Sequence, residues 1–481
     1  MNKDIKKGLI YSFIGKYSNI VVFLIINSVL ARLISPEEYG ILAIIMAFIT
    51  FFSNLLEMGW GAAIIQKEKI NEKFICSVFY VNVILSIFTG IVFYFFSYYF
   101  ISNYYNNPIY KILGGYLFFH LLMLGLGIVP KALLSREKKF KETAYISLVS
   151  NIISGIIGII LAFKGFSYYA LIFQGIILNF LIFILSWRVS KLKITLSFSM
   201  KEIKSMFNYS SYTFLFNFIN FFSRNLDNIL IGKYMGNYSL GVYDKAYKLM
   251  LYPLSILTSV ISPVLHPVLA RYQDNKEKIY YEYMKIVRIL SCLGILISIV
   301  LFFSAEEIIL ILYGKNWLQV IPIFKILSIS TAIQVVLSSS GTIFLASGKS
   351  DKLFFAGIIS AILMVTAIII GLKYNNLNYI GFMLFFAFLG NFFIGYYILI
   401  KKVLKKSYIQ FLKEFLPSIY ILIILTIINY IYLLNIEIKN VFFSFFIKGI
   451  LNFTCFLIII KFIYFKKKGI KEIISLLKQN K

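Results

Sequence analysis

The chain has 481 residues, of which 60% are hydrophobic, 18% aromatic and only 14% charged, with a mean hydropathy of +0.84. Soluble domains carry about 25% charged residues, so an ordinary water-soluble globule is excluded, and so is a disordered chain, which needs low hydrophobicity. The 48 lysines and arginines against 20 acids leave a formal net charge of +28, which in so apolar a chain points to basic cytoplasmic loops rather than to nucleic acid.

Fourteen apolar segments follow one another, at 8–31, 39–64, 74–100, 110–130, 144–164, 167–187, 208–231, 240–270, 281–303, 319–346, 352–372, 378–400, 416–434 and 441–464. A span needs about 20 apolar residues. Inside a bilayer each segment has to satisfy its own backbone, so these are expected to be transmembrane helices; the strict alternation of a membrane barrel is absent. The first segment is too long for the apolar part of a signal peptide and lacks a small-residue cleavage site. Cys76, Cys292 and Cys455 lie inside apolar segments and match neither a zinc spacing nor a disulfide framework.

Counting lysine and arginine in the connections sets the expected orientation. With the N-terminus inside, the inner connections hold 32 basic residues and the outer ones five, Lys164, Lys233, Lys315, Lys373 and Lys439. Both termini are therefore expected in the cytoplasm. The longest outer connection, Ser304 to Leu318, reads as a loop with Glu306 and Glu307 and no catalytic grouping. Ser35-Pro36-Glu37-Glu38 reads as an N-cap, a first-position proline and a capping-box glutamate, so span 2 should start sharply. Ser199-Met200-Lys201-Glu202 repeats the pattern in the connection after span 6, where an amphipathic surface helix is expected, and the tail 469–480 has a similar pattern.

Arg32 to Gly40 and Lys233 to Gly241 share a basic residue, two apolar residues, a turn and a glycine, at a constant offset of 201. Each stretch joins the first two spans of a six-span block. The expected organisation is an N-terminal lobe 1–187, a cytoplasmic linker with an amphipathic helix 188–207, a C-terminal lobe 208–400, and spans 13 and 14 with a basic tail at 401–481. Parallel lobes around a central cavity suit alternating access.

The chain resembles bacterial polysaccharide repeat-unit flippases of the Wzx type, within the multidrug/oligosaccharidyl-lipid/polysaccharide exporter superfamily, and among them the teichuronic-acid and colanic-acid exporters. The resemblance rests on Leu30 to Gly40, Gly59 to Gln66, Leu134-Ser135-Arg136, Arg224 to Lys233, Leu240 to Tyr243, and Ala246-Tyr247. It implies an all-α membrane fold of two six-helix lobes plus two C-terminal helices, in the bacterial inner membrane. It implies an undecaprenyl-diphosphate-linked oligosaccharide as substrate, carried from the inner to the outer leaflet, and a cavity lined by cations. Membrane lipids and the polysaccharide polymerase machinery are the partners that fit such a role.

A charge at the centre of a bilayer costs about 2.5–3.5 kcal/mol on insertion scales, so charges within spans are functional candidates. Arg224 and Asp227 share one helix face: they either neutralise each other, or Asp227 positions Arg224 for the diphosphate, which a guanidinium fork fits. Asp244, Lys245 and Lys248 follow, with Asp244 and Lys248 four apart and either interfacial or substrate-facing. Lys16 either snorkels or faces the cavity, and Glu57 either pairs with Lys16 or carries a proton. Lys325 is a further cation, and Lys448 lies outside the presumed core. His120 is either a packing residue or a proton carrier. Pro253, Pro263 and Pro267 either form a hinge or merely curve span 8.

No nucleotide-binding loop is present, no cofactor is expected, and the choice of proton or sodium coupling is open. Two alternatives to the flippase are a cation-coupled small-molecule antiporter of the same superfamily and an integral-membrane glycan-modifying enzyme. The intramembrane charges are mostly basic, which disfavours the first. The second lacks a catalytic constellation, so the chain is not expected to be an enzyme.

Overall fold

The computed structural model describes residues 3–57, 60–67, 70–195, 197–273, 275–436 and 438–465. The apolar segments are helices, as the bilayer requires. In chain order they are α1 Lys3–Leu33, α2 Pro36–Glu57, α3 Trp60–Gln66, α4 Glu72–Phe95, α5 Ser102–Tyr104, α6 Ile109–Arg136, α7 Phe140–Phe163, α8 Tyr168–Ser190 and α9 Met200–Ala270. Then come α10 Lys276–Phe303, α11 Ala305–Leu312, α12 Val320–Leu337, α13 Ser340–Ala346, α14 Ser350–Lys373, α15 Leu377–Tyr397, α16 Tyr408–Lys413, α17 Leu416–Asn435 and α18 Val441–Phe465.

Twelve stretches among the described residues are long and apolar enough to cross a membrane. The 71-residue α9 adds to them, because it is two helices joined at a non-helical Gly236 with φ 82° and ψ 173°. The chain is thus a multi-pass, all-helical membrane protein with about fourteen transmembrane helices. Its outward-facing side chains fit that reading: Phe163, Leu434, Phe443 and Phe462 are each more than 60% exposed, an apolar surface that water would not tolerate.

Contacts divide the helices into two units, Met1–Gly241 and Val242–Lys481. In the first, α4 packs on α6, α6 on α8, and α7 on both α1 and α8. Trp60, Ile64, Phe74, Val78, Val129 and Leu133 form one of its buried clusters. In the second, α10 packs on α12, α12 on α15, and α14 on α15, with α17 against α10 and α18. A buried hydroxyl chain braces this unit. Tyr283 Oη lies 2.8 Å from Ser339 Oγ and 2.7 Å from Tyr396 Oη, and Tyr396 donates to Val336 O at 2.8 Å. It secures the junction between α12 and α13, where the helix is interrupted.

Two expectations are corrected locally. The connection from Ser304 to Leu318 is not a loop, since it contains α11 and a short 3-10 turn at Lys315–Trp317. The capping box at Ser199 opens the long α9 itself rather than a separate linker helix. The linker before it is extended and docked on α4. Cys76 Sγ lies 3.6 Å from Lys193 O and 3.5 Å from Thr195 Oγ1, Tyr80 donates to Thr195 O at 3.2 Å, and Ser199 N–H donates to Ser77 Oγ at 2.9 Å. The tail 469–480 lies outside the described residues.

Candidate functional site

The densest group of charges within the spans sits early in the second half of α9. Asp244 and Lys245 are buried. Lys248 donates to Asp244 Oδ2 at 2.7 Å, one turn away, with the lysine side chain 55% exposed and the aspartate 7%. The carboxylate thus tethers an ammonium group that remains accessible. Lys245 turns inward, its Nζ 4.8 Å from the ring centre of Tyr313 and 5.4 Å from that of Trp317. Negative ring faces attract a cation and partly replace its hydration. The aromatic pair comes from the segment after α11, which the sequence reading treated as a bare loop.

Other candidates are more scattered. Asp227 is buried on the first half of α9 and accepts the Asn228 N–H at 2.8 Å. Arg224 lies on the same helix, but its side chain, like those of Pro263 and Pro267, lies outside the described residues. Lys325 is half-buried on α12. Lys16 on α1 and Glu57 at the end of α2 are both exposed, and no ion pair joins them among the described residues. His120 is half-buried on α6, with Nε2 3.3 Å from Asn179 Nδ2 and a buried Nδ1 without a partner among the described residues. Pro253 is half-buried within α9. Helical geometry continues through all three prolines, and the break in α9 is at Gly236.

The internal repeat is realised in space. A Cβ on Gly40 would overlap the carbonyl oxygen of Asn237, and a Cβ on Gly241 would overlap that of Pro36 and lie 3.1 Å from Gly40 N. Pro36 and Asn237 are 201 apart, as are Gly40 and Gly241. Each turn therefore inserts its glycine against the opening residue of the other, a reciprocal contact within the first unit. Both turns are held from the side. Ser35 N–H and Oγ donate to Glu38 Oε2 at 2.8 and 2.9 Å, as the capping box requires, while Ser167 donates to Glu38 Oε1. Lys233 donates to Tyr104 O and lies 4.6 Å from that residue's ring centre, and Tyr105 donates to Ile229 O at 3.0 Å.

Two charged groups have partners that their sequence positions did not reveal. Arg136 Nη1 donates to Ile64 O at 2.7 Å, to Ile65 O and to Lys67 O, closing the C-terminus of α3. Two separate sequence motifs are thereby one contact. Glu307 on α11 is buried and pairs with Lys448 on α18. Ser444 donates to the same carboxylate oxygen at 2.6 Å, and Lys448 also donates to Phe303 O at 3.0 Å. Burial alone would raise the Glu307 carboxyl, but the bonds from Lys448 and Ser444 outweigh it and hold it below the usual carboxylate range. The available signal was a lone lysine in an apolar span together with an acid in an apolar loop.

Residues 29–322 match the model of a family described as polysaccharide biosynthesis protein. The chain belongs to this family. Among its curated relatives is the lipopolysaccharide biosynthesis protein WzxC of Escherichia coli (strain K12), 23% identical over 427 residues, covering 86% of each chain. Another is the teichuronic acid biosynthesis protein TuaB of Bacillus subtilis (strain 168), 22% identical over 357 residues, covering 74% of each. A solved structure of the lipid II flippase MurJ in an inward closed conformation is similar in fold, with a TM-score of 0.73 at 20% identity, covering 95% of this chain and 99% of that one. Family membership bears out the resemblance carried by Leu30 to Gly40 and Arg224 to Tyr243, which fall within the matched residues.

Proposed function

We propose that this member of the polysaccharide biosynthesis family is a flippase. It moves undecaprenyl-diphosphate-linked oligosaccharide repeat units from the inner to the outer leaflet of the bacterial cytoplasmic membrane by alternating access, with both termini in the cytoplasm. The observation that carries this reading is the excess of basic over acidic candidates on the spanning helices: Lys16, Arg224, Lys245, Lys248 and Lys325 against Glu57, Asp227 and Asp244. A diphosphate cannot cross hydrocarbon uncompensated, since each charge there costs several kcal/mol. Cations on the spans reduce that cost, and Lys248, tethered by Asp244 yet accessible, is placed to do so. Arg224 supplies the fork that suits phosphate oxygens, and Asp227 positions it. The polyprenyl tail stays in lipid. The relatives named for lipopolysaccharide and teichuronic acid biosynthesis, and the neighbour named a lipid II flippase, support the same reading.

A cation-coupled antiporter is the second reading, favoured by the buried Nδ1 of His120, which has no partner among the described residues. One assay separates them. The pure protein is reconstituted into liposomes with a labelled polyprenyl-diphosphate oligosaccharide, and an impermeant reagent reports its outward-exposed fraction over time. Protein-dependent translocation is expected, slowed by about tenfold or more in Arg224→Ala and in Lys248→Gln if each loses one charge-assisted phosphate bond. Absence of translocation under imposed proton and sodium gradients would sink the flippase reading. His120→Ala tests coupling: a flippase independent of His120 leaves its gradient dependence unchanged.

A further inference from the structure

A second group of cations lies in the second unit, where α10 begins and α16 lies beside it. Arg288 grips Glu414 with a two-pronged fork, Nη2 donating to Oε1 at 2.9 Å and Nε to Oε2. Lys285 lies 3.1 Å from Glu282, and Lys406 donates to Glu277 at 2.8 Å. That last bond raises the Lys406 pKa and keeps the ammonium charged. Between these pairs is a pocket of about 420 Å³, also lined by Lys413, Gln410, Tyr280 and Tyr281.

Its chemistry is one-sided. Segments 276–288 and 401–414 contain nine lysines and arginines against three glutamates. All three glutamates are engaged by Lys406, Lys285 and Arg288, whereas Lys413 has no ion pair among the described residues. The lining therefore offers mainly donors: ammonium groups, phenol hydroxyls and an amide. Exposed apolar side chains that no soluble anion would need flank the lining residues in sequence: Tyr281 in the lining is 58% exposed, Ile409 next to Gln410 is 68% exposed and Leu416 two residues after Glu414 is 49% exposed. Tyr280 and Met284 in the lining are buried.

We infer that this pocket binds the phosphate headgroup of a membrane lipid, with the acyl or prenyl chain lying along Ile409 and Leu416. The lysines match phosphate as compact charges, and the exposed apolar shoulder selects a lipid over a free anion. The inference does not depend on the flippase reading, because the site would hold an anionic phospholipid of the surrounding leaflet equally in a transporter of any substrate.

The test uses the purified full-length chain in zwitterionic detergent-lipid micelles and native mass spectrometry. Four probes are titrated: short-chain phosphatidylglycerol, geranylgeranyl diphosphate, phosphatidylcholine and inorganic phosphate. Phosphatidylglycerol or geranylgeranyl diphosphate should bind more tightly than the other two. The double variant Lys285→Gln with Lys413→Gln should weaken that binding about 30-fold, from roughly 1 kcal/mol per basic residue near a lipid surface. Lys413→Arg should retain it, and an unchanged melting temperature confirms that the variants fold. Preference for phosphatidylglycerol identifies a leaflet phospholipid as the source; preference for the diphosphate identifies a polyprenyl carrier. Binding unchanged in the double variant overturns the site, and inorganic phosphate binding as tightly as either lipid overturns the lipid assignment.

Discussion

At the scale of the residue, charges here are held by backbone and side-chain partners distant in sequence. Arg136 closes three carbonyls at the end of α3, 69 to 72 positions away. Helix C-termini leave carbonyls without internal partners, and a guanidinium satisfies several at once. Arg136→Ala should therefore lower stability by roughly 1–3 kcal/mol, the cost of leaving part-buried acceptors unmade. Arg136→Lys should recover only part of it, because an ammonium is a compact, more strongly hydrated point charge. Thermal unfolding in detergent measures both, and an alanine variant as stable as the native chain would refute this role. Glu307 makes a pH-dependent contribution. Its carboxyl is held below the usual carboxylate range, so its stabilisation is complete above the unfolded value and is lost as pH falls through the folded one. Melting temperatures from pH 7 down to below 4.5 should show an acid step that Glu307→Gln abolishes.

At the scale of the element, the same pair fastens α18 to α11. The buried amides of Asn429 and Asn452 bond each other at 2.7 and 3.0 Å and join α17 to α18. Removing one member of a buried ion pair leaves an uncompensated charge and costs about 3–5 kcal/mol. Lys448→Met alone should loosen the terminal helices, seen as faster hydrogen exchange in 441–465, while Lys448→Met with Glu307→Gln should restore much of the protection. If the single variant exchanges no faster, the pair does not hold these helices. The reciprocal glycine turns make a second prediction. Gly40→Ala and Gly241→Ala each place a methyl group into opposing backbone, whereas a Cβ on Gly357 meets nothing within 4 Å. The first two should destabilise the protein, and Gly357→Ala in α14 should stabilise it by roughly 0.5–1 kcal/mol. Equal melting temperatures for all three would contradict the interlock.

At the scale of the whole molecule, the number and kind of elements were legible in the sequence. Hydrocarbon forces every spanning segment to satisfy its own backbone, so about 20 apolar residues in a row already specify a helix. The capping box at Ser35 and the offset of 201 were legible for a related reason: both are local patterns written within a few residues. What the pattern could not show was where an apolar run breaks, as at Gly236 within α9. A bilayer-compatible run continues in composition even where the backbone turns. Nor could it show how charges are shared out. Lys245, for example, lies against Tyr313 and Trp317. The sequence by itself determined a helical, multi-pass membrane protein and its family, because those follow from local hydrophobicity and short motifs. Only the tertiary structure decided the partners of each buried charge. Pairs such as Glu307 with Lys448, 141 positions apart, and Arg288 with Glu414, 126 apart, are chosen by helix packing, and packing is a property of the folded chain.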